Sequence, residues 1–344
     1  MKTDIRKNIK LSNFSTFKIG GDARYFCEVN DENELIVAIK FARKNKLNFF
    51  VIGNGSNILI KDEGFNGLVI KMSMKGIKIE SKNENFSIVS VFAGESFDDL
   101  ILFAIKNDLS GIENLWNIPG TVGAAAVQNI GAYGVEAGDF IESVECIDVK
   151  TFEKYIIKNK KCNFEYRDSV FKSNKNLIIT KVNFKLNNYF VPNVEYSSLK
   201  DIFNCPTNSK DKKNSDAKEI IKVIEEIRKN KLPDWKVLGT AGSFFKNPII
   251  TIKKYNLLFK KYPNLPKYEA GQGYAKIPLG FVIDKICELK GCREGKVGLY
   301  EKQSLVVVNY GGATFSEIDS FAKKIEEMVY KKVQIRIDRE VETV

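Results

Sequence analysis

Apolar positions in the first 190 residues fall mostly into short alternating runs, which predict strands. "ARYFCEV" (23–29) is one. "DENELIVAIKFARKNK" (31–46) then carries apolar residues at 35, 36, 39 and 42 behind an Asp31/Glu34 capping pattern, which predicts a helix. "NFFVIGNGSN" reads as a strand running into a glycine turn and completes a small βαβ unit. Further strands are predicted at "GLVIKM", "FSIVSVFAG", "IESVECIDV", "EKYIIKN" and "NLIITKVNFKL". Between them, "SFDDLILFAIKNDL" (96–109) has a helical period, with Ser96 or a neighbour as its cap. The polar stretch "NCPTNSKDKKNS" (204–215) reads as a linker. A helix is expected over 216–231, with Ile220, Ile224 and Ile227 on one face. After it come a helix near "LGFVIDKICEL", a strand "SLVVVN", a capped helix "TFSEIDSFAKKIEEMVYKK" and a last strand "VQIRIDREV" (333–341). No internal repeat is visible.

A length of 344 residues suggests two or three domains, and 44% apolar residues suffice for ordinary cores. Charge adds a question about partners: 54 basic against 43 acidic residues leave +11. The basic residues are spread out, and the densest cluster, "SKDKKNSDAK", has no aromatics to stack on bases. Nucleic acid is therefore not an expected partner, and the charge by itself leaves a membrane surface or a small anionic ligand open. The start, "MKTDIRKNIKLSNF", has no apolar core of a leader, and no apolar run approaches the roughly 20 residues that span a bilayer. A cytoplasmic location and no membrane partner are expected. Six scattered cysteines without a C-x-x-C pair, and no histidine at all, suit a reducing compartment and exclude most zinc ligand sets. No metal is expected.

Five stretches could carry chemistry. "GNGSNILI" (53–60) offers successive N–H groups in a glycine turn, a shape that binds anions, though a hairpin turn reads the same. It is not a Rossmann turn, because Ile58 stands where a third glycine is needed and strand-like sequence follows. "NIPGTVGAAAVQNIGAYGVEAGD" (117–139) lacks large side chains over a long stretch. A flat group such as a flavin could approach its backbone; tight packing of small residues is the alternative. In "CNFEYRDSVFK" (162–172) Arg167 could pair with a carboxylate and stabilise developing charge, or could pair at the surface with Asp168. In "TAGSFFKNP" (240–248) Ser243 cannot belong to a Ser-His-Asp triad, since no histidine exists. It can donate a proton to a strongly basic carbon, or simply occupy a strand edge with Phe244 and Phe245 in the core. Finally, Asp338, Glu340 and Glu342 would share one face of the last strand by period two.

These pieces, in this order, resemble the UDP-N-acetylenolpyruvoylglucosamine reductase family. The matching segments are "STFKIGGDARYF", "VIGNGSNILI", "NIPGTVGAAAVQNIGAYG", "CNFEYRDSVFK", "KLPDWKVLGTAGSFFKNP" and "EKQSLVVVN", which span nearly the whole chain. The resemblance implies an α+β protein with an FAD-binding module of the vanillyl-alcohol-oxidase type. Its two subdomains would cover residues 1–68 and 69–215, with a substrate-binding α+β domain over 216–330 and a C-terminal strand (331–344) returning near the second subdomain. It implies FAD against Gly53, Asn54, Gly55, Ser56 and Asn57, and against Pro119, Gly120, Thr121, Gly123, Ala124, Gln128, Asn129, Gly131, Ala132 and Tyr133. NADPH would be the reductant and UDP-N-acetylglucosamine enolpyruvate the substrate. After hydride reaches the enolpyruvyl methylene, Arg167 and Glu340 would stabilise the enolate and Ser243 would protonate it. Glu340 is preferred to Glu342 on the "DREV" match. "EYSSL" matches the family's larger subtype and implies Tyr196 as a substrate contact, with Lys231, Asn247, Tyr268 and Gln303 as further ones. A monomer is expected. One departure is Ala126, where the family commonly has proline. The rival readings are a flavoprotein oxidase of the same binding fold and a basic binding protein without catalysis.

Overall fold

The computed structural model describes residues 3–203 and 216–344; the expected linker 204–215 lies outside the described residues. Contacts divide the chain into two units. The first comprises residues up to Asn8, Arg24–Asn54 and Asn66–Arg228; the second comprises Ile9–Ala23, Gly55–Phe65 and Lys229–Val344. Residues 1–68 thus contribute to both, and the chain passes from one to the other inside the "GNGSN" turn.

The first unit holds a four-stranded sheet, a five-stranded sheet and the short antiparallel pair Gly131–Ala132 with Val135–Glu136. The four-stranded one has the order Arg6–Lys10, Asp22–Val29, Phe65–Met72, Phe49–Ile52, so the strands of the expected βαβ unit are separated by Phe65–Met72. The helix between them, Glu32–Lys44, starts where Asp31 accepts the N–H of Glu34 at 2.8 Å. The Glu34 carboxylate reaches back one residue further than expected, to the N–H of Asn30 at 2.7 Å. Leu35, Ala38, Ile39 and Ala42 form its buried stripe. The second sheet is antiparallel, in the order Lys154–Lys158, Ile141–Asp148, Leu177–Asn187, Phe86–Phe92, Ile77–Lys82. Helix Phe97–Lys106 buries Phe97, Leu100, Ile101 and Ala104. Each of its large apolar side chains contributes roughly 1.5–3 kcal/mol by leaving water. Ser96 precedes it without a side-chain cap; instead the Glu95 carboxylate takes the Ser96 N–H at 3.1 Å.

In the second unit a four-stranded sheet runs Gly239–Ser243, Gln303–Asn309, Val297–Tyr300, Arg293–Glu294, and a three-stranded one Ile249–Thr251, Tyr274–Lys276, Tyr268–Glu269. The long helix Phe315–Val333 begins with a reciprocal Thr314/Glu317 capping box. Its start is also gripped by Asp62, which accepts the N–H of Phe315 at 2.7 Å and of Ser316 at 3.2 Å. Two acidic side chains at a helix N-terminus suit the helix dipole.

The last strand expected over 333–341 is not formed. Helix Phe315–Val333 runs through Val333 and ends on Gln334 in the left-handed region. Residues 335–338 have extended sequence alternation but no ladder; Arg339 makes a single bridge to Phe245, and only Glu342–Thr343 pairs, parallel to Ile58–Leu59. The alternation arises because Val333, Ile335 and Val341 are buried in the core directly. The tail therefore returns to residues within 1–68. Asp338 is exposed while Glu340 and Glu342 are half-buried, so the three carboxylates do not line one strand face.

Candidate active site

The two glycine-rich stretches meet. A Cβ on Gly53 would lie 2.5 Å from Thr121 Oγ1 and 3.5 Å from the Ala124 Cβ. Thr121 caps a short helix, Val122–Gln128, inside what sequence suggested was a long loop. Its buried side is closely packed: a Cβ on Gly123 would sit 2.8 Å from that of Ala93, and one on Gly138 2.9 Å from Phe164. These glycines serve backbone packing, the alternative left open by the sequence. The other side differs. Asn117–Gly120, Gln128 and Gly131–Tyr133 are half-exposed and Ala124 is exposed. Among the described residues, no backbone acceptor takes the N–H groups of Asn54, Gly55, Ser56 or Asn57. A glycine turn whose N–H groups no backbone acceptor takes can bind an anion such as the diphosphate of FAD.

The loop is held under strain. Asn117, Asn129, Tyr133 and Arg167 all have positive φ, between 46° and 62°, a region costly for residues with a Cβ. Asn117 is gripped on both sides of its peptide: its N–H donates to Asp98 at 2.8 Å and its carbonyl accepts from Arg228 Nε at 3.1 Å. Burial raises the Asp98 carboxyl, against the Asn117 N–H and the Arg228 charge. Burial lowers Arg228, opposed by Tyr133 and Asp98. Tyr133 also stacks edge-on against Tyr196, ring centres 5.6 Å apart.

Arg167 is no surface arginine paired with Asp168. Its guanidinium donates to the carbonyls of Asn129 (3.2 Å) and Gly131, and lies 3.8 Å from Glu136. Asp168 instead accepts the Ser169 N–H at 2.9 Å.

Ser243 ends strand Gly239–Ser243, and Phe244 and Phe245 are buried as a strand edge would have them. The ladder with Gln303–Asn309 is interrupted between Thr240 and Ser243, where Gly242 has φ +72°. A bulge of this kind re-aims the next side chain. Behind it, Thr16 donates to the Thr240 carbonyl at 2.6 Å and accepts the Thr240 N–H through its own carbonyl at 3.0 Å. The tail meets the residue after the serine: Glu340 N–H donates to the Phe244 carbonyl at 2.9 Å, and Lys246 N–H to that of Asp338 at 2.9 Å. Ser243, Glu340 and the turn residue Asn57 are thereby joined within one unit, since Asn57 Nδ2 donates to the Glu340 carbonyl at 3.2 Å. Arg167 belongs to the other unit.

Of the remaining candidates, Asn247 Oδ1 accepts the Leu279 N–H at 2.9 Å. Gln303 is half-buried, Lys231 ends helix Ala217–Lys231 exposed, and Tyr268 and Tyr196 are exposed. Sequence reasoning missed Arg228 and Arg339. Arg228 had a signal: it follows Ile220 and Ile224 at i+4 spacing, on the buried stripe rather than among the lysines. Among the described residues no cluster of three or more metal-type ligands occurs, and no helix is long and apolar enough to cross a membrane.

Residues 23–151 match the family model of an FAD binding domain, and residues 233–344 that of the C-terminal domain of UDP-N-acetylenolpyruvoylglucosamine reductase. The reductase of that name from Polynucleobacter asymbioticus is 38% identical over 342 residues, covering 98% of this chain and 95% of its own. That of Neisseria gonorrhoeae is 36% identical over 338 residues, covering 98% and 96%. Among solved structures, the reductase from Thermus caldophilus is similar in fold, with a TM-score of 0.69 at 23% identity over 100% of this chain and 99% of its own.

Proposed function

Because the chain belongs to the UDP-N-acetylenolpyruvoylglucosamine reductase family, we propose that it reduces UDP-N-acetylglucosamine enolpyruvate to UDP-N-acetylmuramate, a step of peptidoglycan precursor synthesis, with NADPH as reductant. The fold is α+β with an FAD-binding module, and the chain is an oxidoreductase of the flavoprotein class. The residues that would hold FAD are those of the 53–57 turn and the half-exposed stretch 117–133. When bound, the flavin supplies the hydride for the substrate methylene.

The chain's own part is to manage the charge and the proton. Addition of hydride to the methylene leaves an enolate conjugated with the substrate carboxylate. Arg167 offers a fixed positive charge for it. Glu340 offers a hydrogen bond, which a carboxyl donates to an enolate in its neutral form. Ser243 delivers the proton to the adjacent carbon as general acid. A hydroxyl is a weak acid, so only so basic an acceptor makes this assignment sensible, and no histidine is needed. Tyr196, Lys231, Asn247, Tyr268 and Gln303 would grip the nucleotide and sugar, as in the larger subtype. The observation that carries the reading is the hydrogen-bonded union of the bulged Ser243–Phe244 strand end with the Glu340 backbone and with Asn57. The reading includes a cytoplasmic monomer divided functionally at 1–68, 69–215 and 216–330.

The test is to mix the purified protein with NADPH and the enolpyruvyl substrate and follow nicotinamide absorbance. Consumption of NADPH that requires substrate is expected. Ser243→Ala should leave reduction of bound flavin by NADPH intact and slow its reoxidation by substrate by orders of magnitude. Normal reoxidation in that variant would remove the serine from the mechanism.

A further inference from the structure

Residue 339 lies between two main-chain bonds of the C-terminal tail, and its side chain makes a further tie. The Asp338 carbonyl accepts from Lys246 N–H and the Glu340 N–H donates to Phe244, both at 2.9 Å. No ladder flanks them over 335–338. The Arg339 guanidinium turns to helix Phe315–Val333, where Nη1 donates to Asp319 at 2.6 Å and Nε to Glu326 at 2.7 Å. Asp319 and Glu326 lie about two helical turns apart, hence on one face, and Arg339 bridges them. Asp319 is itself held by Lys323 at 2.8 Å. The same guanidinium stands 5.7 Å from the centre of the Phe244 ring, the residue next to Ser243.

We infer that Arg339 is a positioning residue: its fork, fixed by Asp319 and Glu326, sets the backbone from which Glu340 projects and steadies Phe244 beside Ser243. It acts through its neighbours and touches no reacting atom. The inference rests on the proposed role of Glu340. The stretch 334–338, which leads into Glu340 without a ladder, would otherwise sample several backbone states. An angstrom of misplacement at a reacting group costs on the order of 100-fold in rate. A rigid helix supplies what the missing ladder does not, and a two-point ion pair fixes orientation where a one-point pair would not.

The experiment compares the FAD-loaded enzyme with Arg339→Met, Arg339→Lys, Glu340→Gln and the double variant Arg339→Met/Glu340→Gln. Arg339→Met should lower kcat about 10- to 100-fold, with KM for the enolpyruvyl substrate, flavin content and flavin reduction by NADPH unchanged. Arg339→Lys, keeping charge but not the fork, should recover part of the loss. In the Glu340→Gln background Arg339→Met should cost nothing further, because the group it positions is gone. Should Arg339→Met fail to fold, Glu326→Gln and Asp319→Asn carry the test under the same criteria. Normal turnover in the Arg339 variants, or losses that multiply in the double variant, would overturn the inference and leave the proposed function standing. Normal turnover in Glu340→Gln would overturn both.

Discussion

The side-chain amide of Asn57 donates to the main-chain oxygen of Glu340 across 3.2 Å, and Glu342, two residues on, returns its N–H to the Asn57 carbonyl at 3.1 Å. A residue of the glycine turn is thereby tied to the segment carrying Glu340, the candidate enolate-stabilising carboxyl. Asn57→Ala removes one of these bonds, a loss of about 0.5–1.5 kcal/mol. We expect weaker flavin retention together with a fall in kcat of about 10-fold. Flavin content after gel filtration and steady-state rates at saturating FAD separate the two effects. A variant that retains flavin and turns over normally would show that the tie does not matter.

Gly242 offers a second lever on Ser243. Its φ of +72° forbids an easy replacement, although a Cβ there would meet nothing within 4 Å. Gly242→Ala should therefore cost about 1–2 kcal/mol through backbone strain alone. If the bulge relaxes to relieve that strain, Ser243 is turned off its line. Turnover should then drop by more than the fraction of folded protein lost, as judged by urea unfolding alongside kinetics.

Glu95 supplies a pH dependence with a definite sign. Burial alone would raise its carboxyl, but the hydrogen bond from Lys75 and the N–H groups of Gly76 and Ser96 outweigh this and hold it below its ordinary 4.5. A depressed folded value means stability that is present above 4.5 and is lost as pH falls below it. Glu95→Gln should destabilise the protein by roughly 1–2 kcal/mol at neutral pH, less than a full charged bond because an amide oxygen still accepts. The gap between wild type and variant should close in acid. Denaturant midpoints measured across that range give the answer; a gap that widens on acidification would contradict the assignment.

Legibility from sequence followed the range of the forces involved. Helix Glu32–Lys44 and helix Phe315–Val333 were readable because Asp31, Thr314 and Glu317 act within one turn of themselves. The "GNGSN" turn was readable as a turn from its glycines, and the lack of histidine excluded a triad at Ser243, but local sequence left a proton donor and a plain strand edge equally open there. Helix Val122–Gln128 was hidden by its glycine and flanking turn residues, although its alanines favour helix. The false strand at 333–341 shows the opposite error. Alternate burial of Val333, Ile335 and Val341 imitates a strand, since extended chain lying on a core has the same period whether or not a partner is present. Arg339 could not be read, because the groups it binds, Asp319 and Glu326, are recognisable only once the tail lies along the helix. Arg228 finds Asn117 over a still longer separation.

Asn57 and Asp62 bracket a stretch whose two ends are fastened to different things: one to the tail at Glu340, the other to the first turn of helix Phe315–Val333. That stretch consequently behaves as a ruler. Lengthening or shortening it by a single residue would let only one fastening close, so the distance between them tolerates changes of composition far better than changes of count.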